Sequence, residues 1–485
     1  MDEQFKKSFL KGSAAASIGT VGAMVCQFIS IIMLTRFVTK DDFGIYILIL
    51  AVVNLFGLFS GFGLRLTTVK FIAGAEREER RKILVPILLI RLVFLSVVSV
   101  IFYFGGSLIV KYFDPKIVLY VLPIIFLFIL ASFRDLFYDL LQALNYFKFF
   151  ASIGVIAALF RVGLIYFYHS FSTLNLDSLI SIEFYATAMP ILLQVFVIPF
   201  KSLIKWHSET EIYKKIIKFS FPLYFGDILN FILGRANIFV IGLYLNPASV
   251  ANYDVATRVP MALKKVFQSY IVVYFPHLAK LFSQENKNSA MRLMNKSLII
   301  ISAFVAFIVL ISFLFSKEII LLLFSERYLV VTLAFFLLIL NFFLRIISDL
   351  MGYTIVSYGK SAVPPKINTF TSILSVSGAF VLIPMYGFMG AVYSILIMNF
   401  VSLILFYRAL VNENIGPNLF QIVKPLAITL ITVGIYLLIG TEILIVKLFF
   451  VILNLIASWL LVDVYKGLYG FVAQNIHKIK LIKSV

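Results

Sequence analysis

Ten basic side chains stand where lipid should be. Arg65, Arg91, Arg134, Arg161, Arg235, Arg258, Lys264, Lys265, Arg345 and Lys447 fall inside apolar stretches long enough to cross a bilayer. Each costs about 2.5–3.5 kcal/mol at mid-span, roughly 25–35 kcal/mol for the set if all faced lipid. They must therefore snorkel, pair, or face water inside the protein. Arg65 lies near an inner helix end and Lys447 near an outer one, so both can snorkel. Arg345 with Asp349, and Asp254 with Arg258, have i,i+4 spacing and can pair along one helix. Arg134 has Asp135 and Asp139 close by. Arg91, Arg161, Arg235, Lys264 and Lys265 have no acid within four positions, which leaves a hydrated lumen or an acid on another span. Lys264 lies about 20 Å of helical rise from the outer end of its span, too deep for outward snorkelling.

Cations gathered in a low-dielectric cavity select an anion. Arginine forks suit phosphate oxygens, and lysine acts as a point charge. Arg235, Arg258 and Lys264 are the first candidates for such a site, with Arg134 and Arg345 beside them. One carboxylate stands out as a coupling group for H+ or Na+. Asp227 lies about 9 Å of rise into its span and shares a stripe with Asn230, Gly234 and Asn237. Its alternative role is as a plain partner for Arg235 or for a cation on another span. Glu183 and Asp254 sit nearer the outer interface. A second stripe carries Asp254, Arg258 and Lys265, and a third carries Ser13, Ser17, Thr20 and Gln27. Stripes of small and hydroxyl residues also serve as helix-packing faces.

Other chemistries are poorly served. Gly359-Lys360-Ser361 lacks the upstream glycine of a phosphate loop, because Thr354 stands there. Neither HExxH nor GxSxG occurs. Cys26 is the lone cysteine and there are four histidines, so no disulfide and no metal cluster is expected. Asp41-Asp42 reads as a helix start. The chain is expected to be neither an enzyme nor a cofactor protein.

The elements that position these charges follow from composition. The 485 residues are 62% hydrophobic and 13% charged, with mean hydropathy +1.03, too apolar for a soluble fold. Breaking the chain at charge, Pro and Gly clusters predicts fourteen spans. They run near 12–37, 44–69, 83–103, 117–144, 150–169, 179–200, 221–243, 251–275, 295–316, 330–353, 367–384, 388–408, 422–440 and 444–465. The two turns at 384–388 and 440–444 are the tightest. With both termini in the cytoplasm, 26 of the 42 Lys and Arg fall in cytoplasmic segments and six outside. That asymmetry fixes the orientation and accounts for much of the +19 net charge without a nucleic acid partner. The basic N-terminus precedes an apolar run too long for a signal peptide, so it reads as a retained first span.

The loop 201–219 is the longest and most polar break. It divides an N-lobe at 1–200 from a C-lobe at 220–410, with the last two spans and a cytoplasmic tail at 411–485. Shifting 9–50 by 207 residues onto 216–257 pairs Lys11 with Lys218, Ser13 with Ser220, Gly19 with Gly226, Ile31 with Ile238 and Tyr46 with Tyr253. Six spans followed by a similar six is the pattern of a transporter built from repeats, with its site between them. The fold expected is an all-α polytopic membrane protein of about 14 transmembrane helices: two pseudo-repeated six-helix lobes plus two C-terminal helices.

Residues 34–74, LTRFVTKDDFGIYILILAVVNLFGLFSGFGLRLTTVKFIAG, carry a resemblance. Thr35, Arg36, Phe43, Gly44 and Tyr46, then Gly61, Gly63 and Arg65, resemble the start of bacterial polysaccharide-repeat flippases. These are the polysaccharide transporter branch of the multidrug/oligosaccharidyl-lipid/polysaccharide exporter superfamily. Lys40-Asp41-Asp42 replaces the proline common in that turn. The resemblance implies a flippase of O-antigen type, carrying undecaprenyl-pyrophosphate-linked repeat units from the cytoplasmic to the periplasmic leaflet of the bacterial inner membrane. It implies two lobes opening alternately, with polysaccharide polymerase and glycosyltransferases as partners beside the membrane lipid. A multidrug exporter of the same superfamily is the alternative, but it usually has twelve spans and acidic residues. A lipid II-type flippase is another. A membrane-embedded polymerase or ligase would carry a large external loop, and a channel a pore loop.

Overall fold

The computed structural model describes residues 3–203, 210–439 and 443–461. It is helix and turn throughout, with no strand among the described residues. The helices run α1 (Glu3–Phe37), α2 (Lys40–Gly61), α3 (Leu64–Ala73), α4 (Arg77–Val110), α5 (Val121–Ala143), α6 (Phe147–Phe171), α7 (Leu176–Val197), the one-turn α8 (Phe200–Leu203) and α9 (Thr210–Tyr244). They continue as α10 (Pro247–Ser283), α11 (Lys287–Leu314), α12 (Ser316–Leu323), α13 (Thr332–Ser357), α14 (Val363–Tyr386), α15 (Phe388–Asn412), α16 (Leu419–Ile439) and α17 (Leu444–Leu461). Each expected span has its helix. Eleven described helices are long and apolar enough to cross a membrane, and bent α9 makes twelve. The remaining two expected spans are α10, which carries Asp254, Arg258, Lys264 and Lys265, and α17, whose apolar stretch Leu444–Ser458 is short. The middle of the 201–219 linker, the 440–442 part of the last turn and the tail beyond Leu461 lie outside the described residues, as do the side chains of Ser13, Ser17 and Asn230.

Local chemistry explains the boundaries. Thr39 caps α2 by accepting from the Asp42 amide at 3.2 Å, and the acids Asp41 and Asp42 complement the positive helix end. The pair is therefore a helix start. The tight turn near 384–388 is Gly387 alone, at φ 61° and ψ −149°, a region essentially reserved for glycine. It joins two full helices, α14 and α15, which pack along each other.

The second span departs from expectation by breaking. α2 stops at Gly61, Phe62 and Gly63 both take left-handed backbone, and α3 begins at Leu64. Left-handed backbone costs a non-glycine residue roughly 1–2 kcal/mol. Phe62 offsets it by burial and by stacking on Phe94 at 4.1 Å. A side chain at Gly63 would meet the Tyr224 backbone nitrogen of α9 at 2.7 Å, so glycine is what lets the two backbones approach. Thr67 and Ser220 close the same contact with a hydroxyl bond of 2.8 Å.

The chain forms two compact units, Met1–Asn252 and Tyr253–Val485. Their boundary falls inside α10, and α9 packs within the first unit against α2, α3 and α4. The repeat is visible in helix ends. A shift of 207 carries Glu3, Phe37 and Lys40, which bound α1 and open α2, onto Thr210, Tyr244 and Pro247 of α9 and α10. α5 and α13 each follow a six-residue 3-10 turn, Pro115–Tyr120 and Glu326–Val331. Arg134 and Arg345 are each the fourteenth residue of their helix.

In the first unit, buried Leu64, Ile72, Leu84, Leu140, Ile153 and Ile216 form a core at the end that sequence assigns to the cytoplasm. In the second, α16 and α17 dock on α11. Asn454 donates to Thr432 at 3.1 Å, Ser302 donates to the Ile422 carbonyl, and Phe450 packs with Leu310 and Tyr436. Water is scarce in such contacts, so close packing and interhelical hydrogen bonds carry the association.

Candidate functional site

Within the first unit most membrane cations are taken up by the protein. Arg161 of α6 meets Glu183 of α7 at 2.5 Å and donates to the Tyr46 hydroxyl of α2 at 2.5 Å. Tyr46 also donates to Glu183. The arginine that lacked a local acid thus finds one on another span. Arg91 is buried and donates to the Ser132 carbonyl at 2.6 Å, with Asp139 and Asp135 as its nearest charges. A lumen-facing Arg91 is therefore corrected to a buried structural one. Arg65 is exposed and 3.8 Å from Asp139. Arg134, a substrate candidate, donates to Asp135 at 2.8 Å. Arg235, another, is half-buried on α9. Asp227, the coupling candidate, is exposed on α9, beyond Pro222 and before the 52° bend between Leu229 and Gly234, and Arg65 is a cation within its electrostatic reach.

Within the second unit Arg258 is held by Asp254, Nη2 to Oδ2 at 2.5 Å, and the Asp254 side chain is fully buried. Lys447 does not snorkel: it is buried and pairs with Glu318 of α12 at 2.5 Å.

Two of the five substrate candidates come together. Lys264 of α10 and Arg345 of α13 line one small cleft, with Gln268, Phe267, Asp349 and Tyr353. Lys264, Phe267, Gln268 and Ile271 occupy one face of α10, at i, i+3, i+4 and i+7. Arg345, Asp349 and Tyr353 occupy one face of α13, at i, i+4 and i+8. Lys264 has no carboxylate within ion-pair distance among the described residues. Asp349 sits 2.9 Å from Arg345 Nε, yet that nitrogen has no hydrogen-bond partner, so the pair is a charge contact without a directed bond. Two cations and one anion leave the cleft net positive. The sequence named both cations but passed over Phe267, Gln268 and Tyr353. Their spacing from Lys264 and Arg345 was the signal that could have found them.

No group of three or more metal-ligating side chains occurs among the described residues. The arrangement supports electrostatic binding of an anionic group, held by a fork and a point charge in a water-poor surround.

A multi-pass helical membrane protein with repeated bundles and a cationic cleft is the class these features define. The comparisons narrow it. The chain belongs to the polysaccharide biosynthesis protein family, whose sequence profile matches residues 9–282, more than half of its length. The capsular polysaccharide biosynthesis protein CapF of Staphylococcus aureus is 25% identical over 399 residues, 80% of this chain and 96% of that one. Among solved structures, the lipid II flippase MurJ in an inward closed conformation has TM-score 0.71 at 16% identity, covering 94% of this chain and 99% of that one. An inward-facing multidrug resistance transporter of the MATE family, in the MOP superfamily, has TM-score 0.62 at 13% identity, covering 82% and 94%. At those identities the likeness to solved structures is one of fold.

Proposed function

We propose that this protein is a flippase for undecaprenyl-pyrophosphate-linked oligosaccharide repeat units, moving them from the cytoplasmic to the periplasmic leaflet of the bacterial inner membrane by alternating access. The observation that carries the reading is the meeting of Lys264 and Arg345 in one net-positive cleft between α10 and α13. A pyrophosphate supplies the negative charge that offsets burying these cations. Arg134, at the repeat-equivalent position of α5, would contact the substrate at another stage of transit. An inside-negative potential favours outward movement of a net anion by about 2.3 kcal/mol per charge per 100 mV. Glycosyltransferases and a polymerase would act before and after the transport step, with both termini of the flippase in the cytoplasm.

The test is Lys264→Gln with Arg345→Gln in a host that depends on this chain for surface polysaccharide. Removing both cations should abolish surface polysaccharide while the protein stays in the membrane at normal abundance. Normal polysaccharide in the double variant would overturn the cationic-cleft reading.

A further inference from the structure

A different group of cations gathers in the first unit, where α3 and α9 meet at the end that the charge pattern assigns to the cytoplasm. The two helices pack antiparallel there, with Gly63 against Tyr224 and Thr67 bonded to Ser220. One turn further along α3, two lysines converge on two rings. Lys70 Nζ lies 3.8 Å from the centre of the Phe219 ring, and Lys215 Nζ lies 5.6 Å from that of Phe71. The two rings meet edge-on at 5.6 Å. We propose that this is a binding site for an anionic phospholipid of the surrounding bilayer, with Lys70 and Lys215 on the headgroup phosphate and Phe221 and Phe225 against the acyl chains. The site shares no residue with the Lys264–Arg345 cleft and does not rest on the cargo proposed above.

Three observations carry the assignment. First, the lysines are positioned but not neutralised. A ring face holds an ammonium group without cancelling its charge. Both lysines are exposed, and neither has a carboxylate within ion-pair distance among the described residues. Second, Lys214 and Lys218 are exposed beside them on the first turns of α9. Like charges held together repel, and a phosphate among them turns that repulsion into attraction. Clusters of about four or more basic residues at the cytoplasmic end of a span are what anionic lipid headgroups attract. Third, the charge runs directly into apolar surface. Lys214, Lys218, Phe221 and Phe225 fall at i, i+4, i+7 and i+11, one stripe of α9. The two phenylalanines are 59% and 62% exposed. They lie about 4.5 and 10.5 Å of rise beyond Lys218, towards the middle of the span. A stripe that is basic at its cytoplasmic end and aromatic further in matches an amphiphile, headgroup first and chain after. A free phosphate would use only the first half.

The experiment titrates the full-length protein in nonionic detergent with three probes and reads the bound fraction by native mass spectrometry. The probes are dioctanoyl phosphatidylglycerol, dioctanoyl phosphatidylcholine and glycerol 3-phosphate. Phosphatidylglycerol should bind the wild type roughly tenfold or more tighter than either of the others. Lys70→Gln and Lys215→Gln should each weaken it roughly fivefold, the factor that about 1 kcal/mol per basic residue near an anionic headgroup gives. Lys70→Arg with Lys215→Arg keeps the charges and should retain binding. Phe221→Ala with Phe225→Ala, at exposed positions, should bring phosphatidylglycerol down towards glycerol 3-phosphate. Lys366→Gln, at an exposed lysine of α14, should change nothing. Thermal unfolding without lipid separates a lost site from a lost fold in every variant. Equal binding of the two phospholipids, or a folded Lys70→Gln, Lys215→Gln variant that binds as the wild type does, overturns the site. So does a folded arginine variant that fails to bind. Glycerol 3-phosphate binding as tightly as phosphatidylglycerol reduces it to a simple anion site and overturns the lipid assignment. An equal loss in Lys366→Gln makes the attraction diffuse and overturns it too.

Discussion

Glu183→Gln should destabilise the protein far more than a change at an ordinary polar position. The substitution keeps the side chain's size and removes its charge. At 2.5 Å the attraction between Arg161 and Glu183 is about 7 kcal/mol at an effective dielectric near 20, before desolvation is counted. Both side chains are largely enclosed, 21% and 12% exposed, so solvent does little to replace the lost partner. Arg161 would keep only the Tyr46 hydroxyl, and its Nε already has no hydrogen-bond partner. Breaking a buried pair from one side costs about 3–5 kcal/mol, and the amide oxygen that remains puts this variant near the lower figure. The double change Arg161→Met with Glu183→Gln removes the stranded charge and should recover most of the loss. Reversible unfolding in mixed micelles measures both. A loss below about 1 kcal/mol in Glu183→Gln, or a double variant as unstable as the single, would refute the claim that this is a structural pair. Retained transport in the double variant is also expected, because neither residue is among those lining the Lys264–Arg345 cleft.

Arg258→Ala leaves the buried Asp254 carboxylate without its partner, so it should lower membrane abundance on an immunoblot along with surface polysaccharide, through a loss of about 3 kcal/mol. Normal abundance with blocked transport would return Arg258 to the substrate path. On a Cys26→Ser background, cysteines at residues 113 and 325 should be labelled from outside intact cells and those at 78 and 210 should not; the reverse pattern would invert the topology. Asp227→Asn should abolish dependence on a proton or sodium gradient in reconstituted vesicles, and unchanged gradient dependence would remove Asp227 from coupling.

The sequence by itself determined the spans, the repeat and the family. Backbone groups in lipid must be satisfied within the segment, so a long apolar run can only be a helix. The 207-residue shift written in the sequence reappears in the helix ends of α1, α2, α9 and α10. Helix starts such as Thr39 to Asp42 are equally local and equally legible. Partnership between helices was not legible. Arg161 finds Glu183, Lys447 finds Glu318, and Lys264 comes to share a cleft with Arg345, across separations that no local spacing records. The break at Phe62–Gly63 was hinted at by its glycines, but it is set by the α9 backbone pressing on Gly63. Apolar runs are decided by the solvent around each segment. Which cations are neutralised and which remain for a ligand is decided by the faces that helices turn to one another, and packing between elements far apart in the chain sets those faces.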